Sequence, residues 1–245
     1  MKLTYLALGL GLLANPQKRI TIYLAGDSTM APKEAKARPE TGWGERLQQY
    51  FDSTQVRIDN RARNGRSSKS FITEGLWQRI ADSLQAGDYV FIQFGHNDES
   101  PDKGPERYTT PAEYRANLLR MISDVRAKNA TPVLLTSVAR RKFDKAGKTV
   151  DTHGEYPGVV RALAAAQHVP LLELLAATDS LLARFGPDSS RVLFNQLKAG
   201  ENPNYPNGVQ DNTHFSPRGA ELVAELAVRA MRSAKLPLAA LLSAR

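Results

Sequence analysis

The chain alternates short apolar runs with longer stretches in which apolar and polar residues follow helical spacing. The short runs are rich in β-branched and aromatic residues, which indicates buried strands. They span residues 18–24, 56–60, 88–94, 132–137 and 169–173. The run at 88–94, Asp-Tyr-Val-Phe-Ile-Gln-Phe, is the clearest buried strand of the five.

Helical stretches separate these runs. A Thr110-Pro111 start signal precedes residues 111–128, and Ser216-Pro217 places a cap and an N1 proline at the start of the last helix. The other helical stretches span 44–51, 68–84 with a break near Gly75, 157–167 and 174–185. This alternation predicts an α/β fold with a parallel sheet covered on both faces, whose functional loops lie at one edge.

Composition indicates the number of domains and the chemical class of the binding partner. The chain has 245 residues, 42% of them hydrophobic, and no linker or repeat divides it, so we expect one domain over 16–245. The net charge of +8 favours an acidic partner, either nucleic acid or an acidic polysaccharide. Scattered basic residues and the lack of a nucleic-acid-binding signature favour the polysaccharide. The absence of Cys excludes thiol catalysis, disulfides and thiolate metal sites.

The N-terminus has the pattern of an export signal. Lys2 precedes an apolar run over residues 3–13 that is too short to span a bilayer, and Ala14 offers a cleavage point. Residues 1–15 are therefore predicted to be a signal or N-terminal apolar segment of a secreted or periplasmic protein without a stable membrane span. Leu12 fits poorly at a position that favours small residues, so a retained anchor or a misassigned start stays open.

The first apolar run stops at a small polar turn that carries Ser28, in the sequence Gly-Asp-Ser-Thr-Met. A turn at the carboxyl end of a parallel strand is where α/β proteins place ligand sites. A serine hydroxyl acts as a nucleophile only with a base within reach and donors for the oxyanion. Ser28 is thus a candidate nucleophile, and an ordinary strand-ending turn is the alternative.

A second candidate motif, Asp-Asn-Thr-His, precedes the last helix. If the backbone turns there, Asp211 can hold the Nδ1 hydrogen of His214 and leave Nε2 free to take a proton from Ser28. One alternative is a surface turn. Another is a metal site with His96, Asp98, Asp211 and His214 as ligands, which no close ligand pair supports, so we expect no metal and no cofactor.

Four motifs in order carry a family resemblance. They are Gly-Asp-Ser-Thr-Met at 26–30, Asn-Gly-Arg-Ser-Ser at 64–68, Gly-His-Asn-Asp at 95–98 and Asp-Asn-Thr-His at 211–214. Together they resemble the four blocks of the SGNH or GDSL hydrolase superfamily. Thr-Gly-Trp-Gly at 41–44, Arg-Arg at 140–141 and Asp-Thr-His-Gly at 151–154 make the chain similar to the rhamnogalacturonan acetylesterase branch.

The resemblance implies a three-layer, flavodoxin-like α/β/α fold with about five parallel strands. It also implies that Ser28 is the nucleophile, His214 the base and Asp211 its orienting acid. It further implies that the backbone amides of Ser28 and Gly65 and the side-chain amide of Asn97 form the oxyanion hole. An Asn-Gly turn at Gly65 and an Asx turn at Asn97 are the structural alternatives.

The resemblance therefore implies a serine esterase that removes acetyl groups from a pectic polysaccharide. A lipolytic esterase, a thioesterase, an acetylesterase on a neutral glycan and a noncatalytic carbohydrate-binding domain stay open, as does the oligomeric state. Substrate carboxylates would meet basic residues near the same sheet edge, for which the candidates are Arg66, Lys69, Arg140 and Arg141. His96 and His153 are predicted either to contact substrate or to stabilise loops.

Overall fold

A computed structural model describes residues 19–243, and the predicted N-terminal signal segment lies outside them. Five parallel strands form the main sheet in the order β2-β1-β3-β4-β5. The strands are β1 (Ile20–Gly26), β2 (Val56–Asn60), β3 (Tyr89–Gln93), β4 (Thr131–Leu135) and β5 (Leu171–Leu172). This is the flavodoxin-like strand order, in which the chain reverses direction across the sheet beside β1. The predicted fold class is confirmed.

Six α-helices connect and cover the strands in the described part of the chain. They are α1 (Ser68–Thr73), α2 (Leu76–Ser83), α3 (Pro111–Ala127), α4 (Tyr156–Ala166), α5 (Leu174–Ser189) and α6 (Pro217–Ser233). The predicted start signals are confirmed: the Thr110 side chain caps α3 and the Ser216 side chain caps α6, each with proline at N1. No helix within residues 19–243 is long and apolar enough to cross a membrane.

The sheet separates two hydrophobic clusters because successive strand residues point to opposite faces. Leu24 of β1 and Phe91 of β3 belong to the cluster that α5 and α6 cover. Ala25 and Val90 belong to the other, which the helices α1 to α4 cover. Both faces of the central strands are therefore buried, and these strands reach the surface through the loops at their ends.

Two regions differ from the predicted elements. Residues 44–51 form two short 3₁₀ turns, Trp43–Arg46 and Gln48–Tyr50, instead of one α-helix. An antiparallel hairpin of β6 (Phe194–Leu197) and β7 (Val209–Phe215) was not predicted, since its residues are mostly polar and lack a clear alternation. This hairpin carries the Asp-Asn-Thr-His motif.

Candidate active site

The nucleophile turn follows β1 at the carboxyl edge of the sheet. Asp27 Oδ1 accepts hydrogen bonds from the Thr29 backbone N–H at 2.9 Å and from Thr29 Oγ1 at 2.8 Å. The Asp27 carbonyl accepts the backbone N–H groups of Met30 and Ala31. These bonds close a tight turn with Ser28 at its tip, where 8% of the residue stays exposed.

Ser28, His214 and Asp211 lie in one hydrogen-bonded line. His214 Nε2 is 2.8 Å from Ser28 Oγ, and His214 Nδ1 is 2.7 Å from Asp211 Oδ2. A carboxylate only accepts hydrogen bonds, so Nδ1 carries the proton and Nε2 is left as the acceptor for the serine hydroxyl. The three residues that the sequence motifs singled out are thus brought together.

A bulge in the hairpin produces the turn that Asp211 and His214 require. Phe194 pairs with Phe215 and Gln196 with Gln210, so residues 211–214 stand opposite a single residue of β6. Asp211 Oδ1 accepts the backbone N–H groups of Thr213 at 2.7 Å and His214 at 2.9 Å. The motif therefore lies in a strand interrupted by a bulge, and the carboxylate itself fixes the bulge.

The same hydrogen bonds keep Asp211 ionised. Partial burial raises the pKa of its carboxyl, but the His214 ring and the two backbone N–H groups outweigh burial and hold the pKa below its ordinary value. Asp211 therefore stays charged at neutral pH and can orient an imidazolium.

Three residues in the loops after β1, β2 and β3 each have an N–H hydrogen that forms no hydrogen bond with the described part of the protein. Within residues 19–243, the backbone N–H groups of Ser28 and Gly65 donate no hydrogen bond. Gly65 has φ +73° in a turn closed by the Arg66 N–H on the Arg63 carbonyl, a conformation that favours glycine. The Asn97 amide gives one hydrogen to the Arg66 carbonyl at 3.0 Å and keeps the other.

Lys33 is a residue of this site that sequence reasoning missed. Its side chain is fully buried, and Nζ donates to the Ser28 carbonyl and to Asn64 Oδ1 at 2.9 Å. Glu40 lies 2.7 Å from the same ammonium. One buried charge therefore ties the nucleophile turn to the loop of Gly65. Its position in the nucleophile loop, five residues after Ser28, was the available signal.

The Thr-Gly-Trp-Gly motif supports the nucleophile turn from beneath. The Trp43 N–H bonds to the Thr29 carbonyl at 3.0 Å, and its indole donates to Gln93 Oε1 at 2.9 Å. Gln93 is the last residue of β3, so the indole links the turn after β1 to the neighbouring strand.

His96 and His153 do not reach a substrate surface. They are 2% and 1% exposed, and their rings meet edge to face with centroids 4.7 Å apart. His153 lies between the Glu99 carboxylate and the Val138 carbonyl. His96 Nδ1 is 3.4 Å from Asp27 Oδ2, and burial lowers the pKa of His96 to about 4. Of the two predicted roles, loop stabilisation fits these positions.

The predicted basic residues are already occupied by protein groups. Arg66 pairs with Glu74 at 2.9 Å. Arg140 binds the Glu99 carboxylate and the His96 and Thr152 carbonyls. Lys69 donates to the Pro105 carbonyl at 2.7 Å.

Arg141 is anchored in the same way, next to the catalytic motif. Its guanidinium contacts the Asn212 side chain at 2.8 Å, Ser190 Oγ at 3.0 Å and the Pro187 carbonyl. Its backbone N–H donates to the Asn212 carbonyl at 2.8 Å. Since Asn212 lies between Asp211 and His214, the geometry makes Arg141 a support of the bulge.

Asp98 closes the loop after β3 from inside. Its buried carboxylate accepts Ser68 Oγ at 2.6 Å, Thr109 Oγ1 at 3.0 Å and the Gly95 N–H at 3.2 Å. Burial raises the pKa of Asp98 to about 7, against the effect of these donors. The Asp98 carboxylate therefore already binds protein donors. Within residues 19–243, no group of three His, Asp or Glu side chains is arranged to hold a metal ion.

Comparison with known proteins gives a family match and close relatives. The model of the GDSL-like Lipase/Acylhydrolase family matches residues 24–222. A rhamnogalacturonan acetylesterase of Bacillus subtilis is 43% identical over 223 residues, which cover 91% of this chain and 94% of that protein. A rhamnogalacturonan acetylesterase of Emericella nidulans is 32% identical and covers 86% of this chain and 84% of its own length. The crystal structure of Bacillus subtilis YxiM matches with a TM-score of 0.76 and 26% identity over 91% of this chain, which spans only 58% of that longer protein.

Proposed function

Because this chain belongs to the GDSL-like lipase/acylhydrolase family, and is a carboxylic ester hydrolase, we propose that it removes acetyl groups from a pectic polysaccharide such as rhamnogalacturonan. The single observation that carries the chemistry is the line from Ser28 through His214 to Asp211, with contacts of 2.8 and 2.7 Å.

In the proposed acylation step, Ser28 Oγ attacks the acetyl carbonyl carbon while its proton moves to His214 Nε2. The carbonyl oxygen becomes an oxyanion that accepts the N–H groups of Ser28 and Gly65 and the free Asn97 amide hydrogen. When the tetrahedral intermediate collapses, His214 gives the proton to the departing sugar oxygen. The ester bond breaks, and the acetyl group stays on Ser28.

In the proposed deacylation step, water takes the place of the sugar. His214 removes a proton from the water as it attacks the acetyl-serine carbonyl, and the same donors hold the second oxyanion. Collapse returns the proton to Ser28 Oγ and releases acetate. Asp211 keeps its charge throughout and stabilises the imidazolium that forms in each half-reaction.

Two independent features support an acidic glycan as the substrate. Relatives in a bacterium and a fungus, at 43% and 32% identity, are both named rhamnogalacturonan acetylesterases. The net charge of +8 favours association with a polyanion through long-range attraction. Chains of galacturonate supply that negative charge, whereas an unsubstituted xylan backbone and neutral lipid esters do not.

The test is acetate release from acetylated rhamnogalacturonan, acetylated homogalacturonan and acetylated xylan, with a long-chain ester as a fourth substrate. We expect the highest kcat/KM on rhamnogalacturonan. Equal activity on xylan would support a general glycan acetylesterase, and preference for the long-chain ester would support a lipolytic enzyme. Binding without acetate release would support the noncatalytic carbohydrate-binding domain.

Two variants test the roles of the serine and the imidazole. Ser28→Ala and His214→Ala should each lose nearly all esterase activity with unchanged thermal unfolding, because each removes one member of a unit that acts together. The double variant should be no worse than either single variant. A Ser28→Ala protein that kept most of its turnover would show that the nucleophile lies elsewhere.

A further inference from the structure

The candidate carboxylate-binding arginines all form hydrogen bonds with protein groups, so cations with fewer such partners are better placed to bind a substrate carboxylate. The loop between β3 and α3 supplies two, Lys103 and Arg107. Within residues 19–243 neither side chain forms an ion pair within 4.0 Å, and the Arg107 guanidinium makes no hydrogen bond. Among the carboxylates of this loop, Asp102 forms no ion pair with either cation, and Glu106 folds over Gly104.

Both cations lie beside the residues proposed to bind the oxyanion. Lys103 Nζ is 3.5 Å from Asn97 Oδ1, the oxygen of the side-chain amide proposed to bind the oxyanion. A methyl group built on Gly65 would lie 3.5 Å from a guanidinium nitrogen of Arg107. The two side chains therefore sit against two of the three donor residues.

The backbone beneath the two cations is fixed. The N–H groups of Arg107 and Tyr108 both bond to the Gly104 carbonyl, at 3.1 and 3.0 Å. Lys69 donates to the Pro105 carbonyl at 2.7 Å, and the Thr109 N–H bonds to the Asp98 carbonyl at 3.1 Å. Because hydrogen bonds hold the loop at both ends, its backbone is already ordered before substrate binds. Binding therefore loses less conformational entropy.

We propose that Lys103 and Arg107 form a carboxylate-binding subsite for a uronate of the acetylated chain. A guanidinium with unused donors matches a carboxylate through two parallel hydrogen bonds, and the ammonium adds a point charge. An acetyl carbonyl in the proposed oxyanion hole places its sugar beside Gly65 and Asn97. Arg107 and Lys103 lie against these two residues, so a uronate carboxylate of the same chain can meet the two cations. This inference rests on the proposed pectic substrate and names the residues that select it.

The test compares variants on three substrates. One is an acetylated rhamnogalacturonan oligosaccharide, the second is the same oligosaccharide with its carboxylates reduced to alcohols, and the third is a small neutral aryl acetate. Arg107→Ala and Lys103→Ala should raise KM on the acidic oligosaccharide, by about 10- to 100-fold for Arg107→Ala, which loses charge-assisted bonds. The losses on the two neutral substrates should be much smaller.

Two further variants separate local binding from general attraction. Lys128→Ala removes an exposed positive charge at the far end of α3 and should leave all three activities unchanged. Arg107→Lys keeps the charge but not the fork of donors, so its loss should fall between those of the wild type and Arg107→Ala. Thermal unfolding of each variant checks the fold, and both residues have solvent-accessible side chains, so we expect small changes.

The outcomes distinguish this subsite from the proposed function. If the wild type prefers the acidic oligosaccharide and Arg107→Ala keeps that preference, the subsite is wrong and the pectic function stands. If the wild type treats the acidic and reduced oligosaccharides alike, both fail. If Arg107→Ala and Lys103→Ala lose as much activity on the neutral aryl acetate as on the acidic oligosaccharide, the two residues shape the oxyanion loop. If Lys128→Ala loses as much activity on the acidic oligosaccharide as they do, the effect is long-range attraction only. Each result overturns the subsite.

Discussion

Replacing Lys33 by methionine should damage both the stability of the fold and the rate of the reaction. The methionine has nearly the same length but no charge, so packing is largely kept while three interactions are removed. The Ser28 carbonyl, the Asn64 side chain and the Glu40 carboxylate all lose their partner. The change therefore tests whether one ammonium couples the nucleophile turn to the oxyanion loop.

The expected magnitude follows from burial. The Lys33 side chain has no exposed surface and that of Glu40 is 14% exposed, so Lys33→Met leaves a mostly buried carboxylate unpaired. Breaking a buried ion pair from one side costs about 3–5 kcal/mol of the free energy of unfolding. Without this ammonium, the Ser28 turn and the Gly65 loop are no longer held together. A displacement of about 1 Å between them should lower kcat by about 10²-fold in the protein that remains folded.

Urea unfolding and kinetics on a small aryl acetate measure the two effects. Lys36→Met is the matched control, since Lys36 lies three residues on, is 84% exposed and pairs with Glu34, which is 75% exposed. That surface pair should be worth less than about 1 kcal/mol. Adding Glu40→Gln to Lys33→Met should recover part of the lost stability by removing the unpaired charge. A Lys33→Met protein as stable and active as Lys36→Met would refute the coupling.

Three other predictions test neighbouring groups. Asn97→Ala should lower kcat by about 10²- to 10³-fold with KM little changed on a chromogenic acetate, and a loss confined to KM would make Asn97 a substrate-binding residue. Arg141→Ala should lower kcat/KM alike on polymer and small ester because it frees the Asn212 bulge, whereas a loss on the polymer alone would restore the predicted substrate role. His96 has a folded-state pKa of about 4, below its unfolded value near 6.5, so the unfolded chain takes up this proton first. The free energy of unfolding should therefore fall as pH drops from about 6.5 to about 4. Denaturant unfolding across this range should show a smaller fall in the His96→Gln variant than in the wild type. An identical fall in both proteins would contradict the role of His96.

Much of the fold was predictable from local patterns. The strand at 56–60 was predicted with its observed bounds, and the starts of α3 and α6 followed from cap and proline signals. The order of the strands places the turns of Ser28, Gly65 and Asn97 on three adjacent strands, because parallel strands end at one edge. The strand and the helix starts are encoded by short segments, so a single sequence displays them, whereas the flavodoxin-like arrangement was implied by the family resemblance.

The β6–β7 hairpin was missed because its stability is not local. Polar residues such as Gln196 and Gln210 lack the alternation that marks a half-buried strand, and the hairpin packs instead through Phe194 and Phe215, whose rings lie 5.3 Å apart. The bulge at 211–214 depends on this pairing and on the contact with Arg141. A motif four residues long could suggest the Asp-His contact but not the strand that holds it.

Charge pairing was the least predictable feature, because it joins residues far apart in the chain. The Arg140 guanidinium binds the Glu99 carboxylate across 41 positions, and the Arg141 guanidinium binds the Asn212 side chain across 71, so protein groups already hold both arginines after β4. The same long-range pairing leaves Lys103 and Arg107 without carboxylate partners in the described residues. The cations available to an acidic substrate are those that the folded chain leaves without carboxylate partners. A single sequence does not show which ones these are, because the pairing forms only when the loops after β3 and β4 pack together.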